Sequence, residues 1–199
     1  IGCELAQAFN RLGSDVTLVE TEDRLLPRED EEVGTIMADI FRREGVRVLT
    51  GYRPDRCVGK RLSVTGSISV EELNFDRILI AAGRRPRTMG MGIEKLGIRT
   101  EPNGTLVVDR YLRTAVDSIY AAGDVVGPYQ FTHMAGHQAW IAAANALARP
   151  FWRYALDESV VPWATYTDPE VARVGLSEEQ ARALGRDVVV THYELDDVD

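Results

Sequence analysis

Cysteine is scarce in this chain, since only Cys3 and Cys57 occur among 199 residues. They form neither a CxxC pair nor a zinc-ligand spacing, and nothing suggests a disulfide framework of the kind found in small secreted proteins. We therefore interpret both as structural thiols and expect a cytoplasmic protein. His133 and His137 stand four residues apart, but no third ligand accompanies them, so no metal site is predicted.

Positive charge and long apolar runs are also lacking. The 23 Lys and Arg residues face 31 Asp and Glu residues, which gives a net charge of −8. Such a chain is not expected to bind nucleic acid through the phosphate backbone. No stretch approaches the roughly 18 apolar residues that a membrane helix needs, so no membrane association is predicted. We see no signal peptide, although a chain without its true start could have lost one.

The first twenty residues, IGCELAQAFNRLGSDVTLVE, have the pattern of a helix followed by a short strand that ends on Glu20. A helix and then a strand ending in an acid is the second half of a βαβ nucleotide-binding unit. Gly2 fits the last glycine of the Gly-rich turn, and Glu20 fits the acid that binds the ribose hydroxyls. The plainer alternative is a helix-start glycine and a surface acid.

The charge of Glu20 bears on the coenzyme. A 2′-phosphate beside this carboxylate would meet like charge in a partly desolvated site, so NAD(H) is favoured over NADP(H). Arg24 lies close enough in sequence to complicate this prediction.

The spacing of apolar residues predicts the elements that follow. A helix is expected over 31–44, with a buried face of Val33, Ile36, Met37, Ile40 and Phe41. Further predicted elements are a strand at 46–50, an antiparallel meander from about 56, and a buried strand within 75–88 that ends in a Gly-Arg turn. Later come strands at 105–109 and 118–126, a helix at 133–148, strands around a turn at 161–175, a capped helix at 177–185 and a strand at 187–195.

A second nucleotide motif makes the interpretation more specific. The stretch TAVDSIYAAGDVVG, residues 114–127, resembles the second flavin signature of the pyridine nucleotide-disulfide oxidoreductases. By this resemblance, Asp124 hydrogen-bonds the ribityl chain of FAD, and Gly123 lets the backbone approach the flavin. The segment FTHMAGHQA, residues 131–139, resembles the helix start that faces the flavin pyrimidine ring. The resemblance thus adds Thr132, His133 and Ala135 to the candidate cofactor-binding residues.

The same resemblance covers essentially the whole chain. It places Glu4 beside the nicotinamide, where the alternative is a first-turn acid favoured by the helix dipole. Gly83 and Arg84, in ILIAAGRRPRT, become candidate cofactor contacts, where the alternative is a plain turn. The stretch VPWATYTDPEVARVGLSEEQA resembles the opening of the family's interface domain, which implies a homodimer.

The implied fold is α/β, with a Rossmann-like NAD-binding domain that includes an antiparallel meander. A returning segment of the FAD domain and the start of an α+β dimerisation domain follow. The expected boundaries are 1–83 for the NAD(H)-binding domain, 84–150 for the FAD-domain segment and 151–199 for the dimerisation segment. The first strand, the N-terminal FAD domain and the C-terminal end are expected to lie outside this chain.

The implied function is FAD-dependent transfer of hydride from NAD(P)H, with NADH favoured, to flavin and on to a disulfide or small-molecule acceptor. The resemblance is to mercuric reductase and dihydrolipoamide dehydrogenase in particular. The redox cysteines and the family's His-Glu pair are expected outside the chain, so no catalytic residue is assigned within it. Alternatives are a soluble transhydrogenase or NADH oxidase of the same fold, or an inactive NAD-binding or interface fragment.

Overall fold

The computed structural model describes residues 1–149 and 151–194, and these form two compact units. The first unit combines residues 1–81 with the described residues from 160 onward, and the second lies within residues 82–159. Among the described residues, no helix is long and apolar enough to cross a membrane.

The first unit opens with two helix-strand pairs. They are α1 (Gly2–Arg11), β1 (Thr17–Glu20), α2 (Glu31–Arg43) and β2 (Arg47–Thr50). The two strands pair in parallel, with Glu20 opposite Thr50. Acidic side chains in the first turn of α2 and arginines in its last turn complement the helix dipole. The predicted half of a βαβ unit is therefore confirmed.

A small apolar core holds α2 against the parallel strands. Phe41 and Leu25 are fully buried, Met37 is nearly so, and Ala6 of α1 packs with them. The prediction that Ile36 shares this buried face is wrong, since its side chain is 47% exposed. The buried positions of α2 repeat at three- and four-residue intervals around Met37, and Ile36 is rotated away from that stripe by about 100°.

The antiparallel meander is confirmed. It consists of β3 (Arg53–Val58), β4 (Arg61–Thr65) and β5 (Val70–Asn74), with β4 in the centre. The register shifts between Pro54 and Arg56, where proline lacks the amide hydrogen that a regular ladder requires.

A hairpin and a short helix complete the first unit. β6 (Pro162–Thr165) pairs antiparallel with β7 (Val171–Val174), and α4 (Glu178–Ala183) follows. Ser177 and Gln180 form a reciprocal capping box at the start of α4. The predicted strands around a turn and the predicted capped helix are both present.

The second unit is built around α3 (Thr132–Ala148), with short 3-10 helices at Ile93–Leu96 and Gly123–Val125. Leu112, Ile141 and Ala142 form its apolar core. Asn145 is buried beside them, and its side-chain amide donates to the carbonyl oxygens of Tyr111 and Tyr154. This polar contact ties the segments on both sides of α3 to the helix.

Several predicted strands are absent from the described residues. Residues 75–88, 105–109, 118–126 and 187–194 do not form strands, and Leu195 lies outside the described part. Isolated bridges join Thr100 to Leu106 and Arg113 to Tyr120. The apolar run Ile78, Leu79 and Ile80 is 48–80% exposed. These segments fail as strands because no described strand lies alongside to complete their hydrogen bonds.

Candidate functional site

The start of α1 brings together a glycine, an acid and the hairpin turn. A Cβ added at Gly2 would lie 3.6 Å from the Cβ of Ala81, which is ordinary van der Waals contact. Glu4, in the first helical turn, accepts a hydrogen bond from the backbone N–H of Tyr166, with 2.9 Å between Oε1 and N. The Glu4 carboxylate is thus fixed at the positive end of the helix, next to the chain that follows β6.

Glu20, at the end of β1, has an oriented carboxylate. Its Oε1 accepts hydrogen bonds from the Glu22 backbone N–H at 3.1 Å and from the Thr21 hydroxyl at 3.2 Å. No described residue donates to its other oxygen, Oε2. One oxygen therefore holds the turn after the strand, while the other can accept from the hydroxyl group of a ligand.

Arg24, which the sequence left as a complication, has partners other than Glu20. Its guanidinium lies 3.4 Å from the Asp23 carboxylate and 3.6 Å from the Glu179 carboxylate, and it also donates to the Pro27 carbonyl oxygen. Within the described ranges, no hydrogen bond or ion pair joins Arg24 to Glu20. The positive charge is therefore committed to a different pair of acids.

In the second unit, two predicted site residues meet across forty positions of sequence. Nη1 of Arg84 lies 3.4 Å from Oδ2 of Asp124, and it donates to the Gln130 carbonyl oxygen at 3.0 Å. Both side chains are about half exposed. Gly83 precedes this arginine with a φ of 101°, which favours glycine, so the turn depends on that residue.

Gly123 and Ala135, both candidate cofactor-binding residues, also lie next to each other. Gly123 has a φ of 81°, and a Cβ added there would lie 3.1 Å from the Cβ of Ala135. This is closer than apolar carbons normally approach. The fully buried Gln138 lies one turn further along α3 and accepts a hydrogen bond from the Gly123 N–H at 2.7 Å. The turn that carries Asp124 is therefore fixed against α3 by both shape and a buried hydrogen bond.

The N-terminus of α3 presents Thr132 and His133. No side chain caps this end of the helix, so its first backbone N–H groups point outward without an intrahelical acceptor. The His133 ring stacks on Phe131, with 5.4 Å between centroids and an 8° angle between planes. No group of three His, Cys, Asp or Glu residues in the described chain is arranged to hold a metal ion.

Sequence comparison is decisive for the family. Residues 1–139 match the family description "Pyridine nucleotide-disulphide oxidoreductase". The chain belongs to this family. Residues 161–199 match the dimerisation domain of the same family. Proteins of this pyridine nucleotide-disulphide oxidoreductase family use FAD and NAD(P)H.

Curated relatives in the family extend over nearly the whole chain. It is 38% identical to a dihydrolipoyl dehydrogenase from Thermus scotoductus, with 97% of the chain and 42% of the relative covered. It is 35% identical to a mercuric reductase from Staphylococcus aureus, with 100% of the chain and 37% of the relative covered. The chain therefore spans about 40% of the length of these relatives.

A solved structure of the family has the same fold. The HOCl-induced flavoprotein disulfide reductase RclA from Escherichia coli superposes with a TM-score of 0.79 at 34% identity. The superposition covers 93% of this chain and 42% of that protein. The mixed α/β fold expected from the sequence is thus confirmed.

Sequence reasoning missed the polar residues that hold these sites in place. Gln7 in α1 and Gln138 in α3 are buried and bind backbone groups of distant segments. The available signal was a long amide side chain on the inner face of a helix, among apolar or small neighbours. Trp163 in β6 is a further example, since it donates a hydrogen bond to Glu29 at 2.8 Å.

Proposed function

We propose that this chain is the coenzyme-binding part of an FAD-dependent oxidoreductase whose electron donor is NADH. The observation that carries the proposal is the family match over residues 1–139, a range that contains both Glu20 and Asp124. The resemblance of the sequence to the family's signatures supports these two acids as the coenzyme-binding carboxylates. By analogy with the family, the complete protein passes electrons to a disulfide or another small acceptor and works as a homodimer. Bound FAD would supply the group that accepts hydride from nicotinamide.

The nicotinamide coenzyme would be held along the edge defined by α1 and β1. The N-terminus of α1 at Gly2 would bind the pyrophosphate, because unpaired backbone N–H groups and the helix dipole both favour an anion. Oε2 of Glu20 would accept a hydrogen bond from a ribose hydroxyl. Glu4, already fixed by the Tyr166 N–H, would orient the nicotinamide carboxamide. The work of these residues is positioning rather than proton transfer.

Residues of the second unit would suit a bound flavin. Because Gly123 has no Cβ, the turn that presents Asp124 can lie directly against Ala135 of α3. Asp124 would accept hydrogen bonds from ribityl hydroxyls, with Arg84 as its neighbouring cation. The uncapped N-terminus of α3, at Thr132 and His133, would stabilise negative charge on the bound cofactor.

Coenzyme choice tests the assignment of Glu20. In the complete protein, Glu20→Ala should reduce the preference for NADH over NADPH by about tenfold or more, the range expected for loss of a hydrogen bond to a charged acceptor together with a like-charge repulsion. Glu22→Ala removes an exposed acid from the same loop and serves as the matched control. An unchanged ratio of kcat/KM values in Glu20→Ala would remove Glu20 from the site.

Flavin retention tests the assignment of Asp124. Asp124→Ala should lower the fraction of protein that purifies with FAD, because the ribityl hydroxyls lose their charged acceptor. Asp117→Ala, which removes a 78% exposed acid from the same unit, is the control. A fully flavinylated Asp124→Ala protein would contradict this role.

A further inference from the structure

A buried polar cluster joins the loop after β1 to the β6–β7 hairpin. Glu29, near the end of that loop, is only 7% exposed. Its Oε1 accepts a hydrogen bond from the indole Nε1 of Trp163 at 2.8 Å, and its Oε2 lies 3.6 Å from Nη1 of Arg173. We call these three residues the loop clasp. Removal of either partner would leave the buried Glu29 carboxylate poorly compensated. The two contacts therefore hold this side chain in position.

Arg173 fixes the geometry of the loop clasp from the other side. Its side chain is 11% exposed, and its guanidinium carbon lies 4.1 Å from the centroid of the Trp163 ring, in a cation-π arrangement. The same guanidinium donates to the carbonyl oxygen of Arg28 at 2.6 Å and to the side chain of Gln180 at 3.2 Å. Backbone and side chain of the loop are therefore both held.

The start of α4 makes further contacts with the same loop. Oδ1 of Asp30 accepts from the Glu178 backbone N–H at 2.9 Å, and Arg24 lies 3.6 Å from the Glu179 carboxylate. On the opposite side, Gly34 of α2 leaves room for the loop, since a Cβ there would collide with the carbonyl oxygen of Leu25. The loop after Glu20 is thus held between α2 on one side and the β6–β7 hairpin and α4 on the other, with Arg24 paired to Asp23 and Glu179.

We propose that Trp163 and Arg173 are positioning residues for coenzyme selection, and that Glu179, together with Asp23, keeps Arg24 from serving as the cation for a 2′-phosphate. This inference rests on the proposed function, because it deepens the role given to Glu20. Arg24 is the first cation after Glu20 in sequence, and a guanidinium released from carboxylates pairs readily with phosphate. The β6–β7 hairpin and α4 therefore contribute to discrimination between a ribose 2′-hydroxyl and a 2′-phosphate.

Steady-state kinetics of the complete, FAD-loaded protein with NADH and NADPH test this inference. Glu179→Gln should raise kcat/KM for NADPH about two- to tenfold, while the value for NADH stays within about twofold. Trp163→Phe keeps the packing but loses the N–H donor, and it should raise KM for NADH by a similar factor with kcat retained. Arg182→Gln, in the same helix as Glu179, is the matched control. Its ratio of kcat/KM for NADH to kcat/KM for NADPH should equal that of the wild type.

A conservative exchange separates positioning from mere stability. In Glu29→Gln, the new side chain can still accept the hydrogen bond from Trp163, so this variant should keep most of the wild-type preference for NADH over NADPH in kcat/KM. Glu29→Ala loses that acceptor and should show a smaller preference. A purely structural role would lower kcat/KM for both coenzymes equally. An unchanged ratio in Glu179→Gln, or a change equal to that of Arg182→Gln, would overturn the inference while leaving the proposed function intact. A wild-type protein that oxidises neither coenzyme would overturn the proposed function and the inference with it.

Discussion

Substitution of Gly123 by alanine gives a quantitative test of the turn that presents Asp124. The backbone φ of 81° costs an alanine about 1–2 kcal/mol, because its Cβ approaches the following carbonyl oxygen. The new Cβ also lies 3.1 Å from the Cβ of Ala135, and crowding of this kind adds about 1–3 kcal/mol. We therefore expect Gly123→Ala to destabilise the protein by about 2–5 kcal/mol.

Gly97→Ala is the matched control in the same unit. Its φ of 70° carries the same backbone cost, but no atom outside its chain neighbours lies within 4 Å of the added Cβ. The expected loss is about 1–2 kcal/mol only. Urea unfolding monitored by tryptophan fluorescence measures both changes, and the slope with denaturant checks that the same surface is exposed.

A second substitution isolates the contact itself. Ala135→Gly in the Gly123→Ala background removes the crowding atom, although glycine within a helix costs about 1 kcal/mol. The double-mutant cycle should therefore show a favourable coupling of about 1 kcal/mol or more. Equal losses for Gly123→Ala and Gly97→Ala, together with zero coupling, would refute the close approach of the Gly123 turn to α3.

Three other predictions concern the first unit. Phe41→Ala should lower the free energy of unfolding by about 3–5 kcal/mol, measured by urea denaturation, because Phe41 is fully buried. Burial raises the pKa of the Cys3 thiol to about 11, so alkylation at neutral pH followed by peptide mass analysis should modify exposed Cys57 first; faster labelling of Cys3 would contradict this. Hydrogen bonds from Arg11 hold the pKa of Glu44 below its ordinary value of 4.5. Their stabilisation is present above pH 4.5 and is lost on further acidification, so the destabilisation by Arg11→Met should shrink in acid; a pH-independent difference would count against the pair.

Local sequence patterns were sufficient to predict the helices and the parallel strand pair. The repeat of Met37 and Phe41, the acids before α2 and the arginines at its end all lie within a few residues of one another, so the sequence alone predicts the helix. The capping box of Ser177 and Gln180 is equally local. By contrast, Ile78, Leu79 and Ile80 form an apolar run with high strand propensity, yet a strand also requires a neighbour to pair with.

The candidate site divides in the same way. Gly123 and Asp124 stand in one short motif, and Glu20 ends a predictable strand, so sequence patterns and the family resemblance were enough to select all three as candidates. The loop clasp could not be predicted, because Trp163 and Glu29 are 134 positions apart and join only in the folded unit. Gln138 likewise acts on Gly123 from the adjacent helix, and its long-range partner cannot be inferred from one sequence.

The most direct test of the central claim is anaerobic mixing of the complete, FAD-loaded protein with NADH while the visible flavin absorbance is followed by stopped flow. The account predicts rapid bleaching, slowed when the transferred hydrogen of NADH is replaced by deuterium, and slower or weaker bleaching with NADPH. A protein that retains FAD but is not bleached by NADH, or is bleached faster by NADPH at equal concentration, would contradict the account.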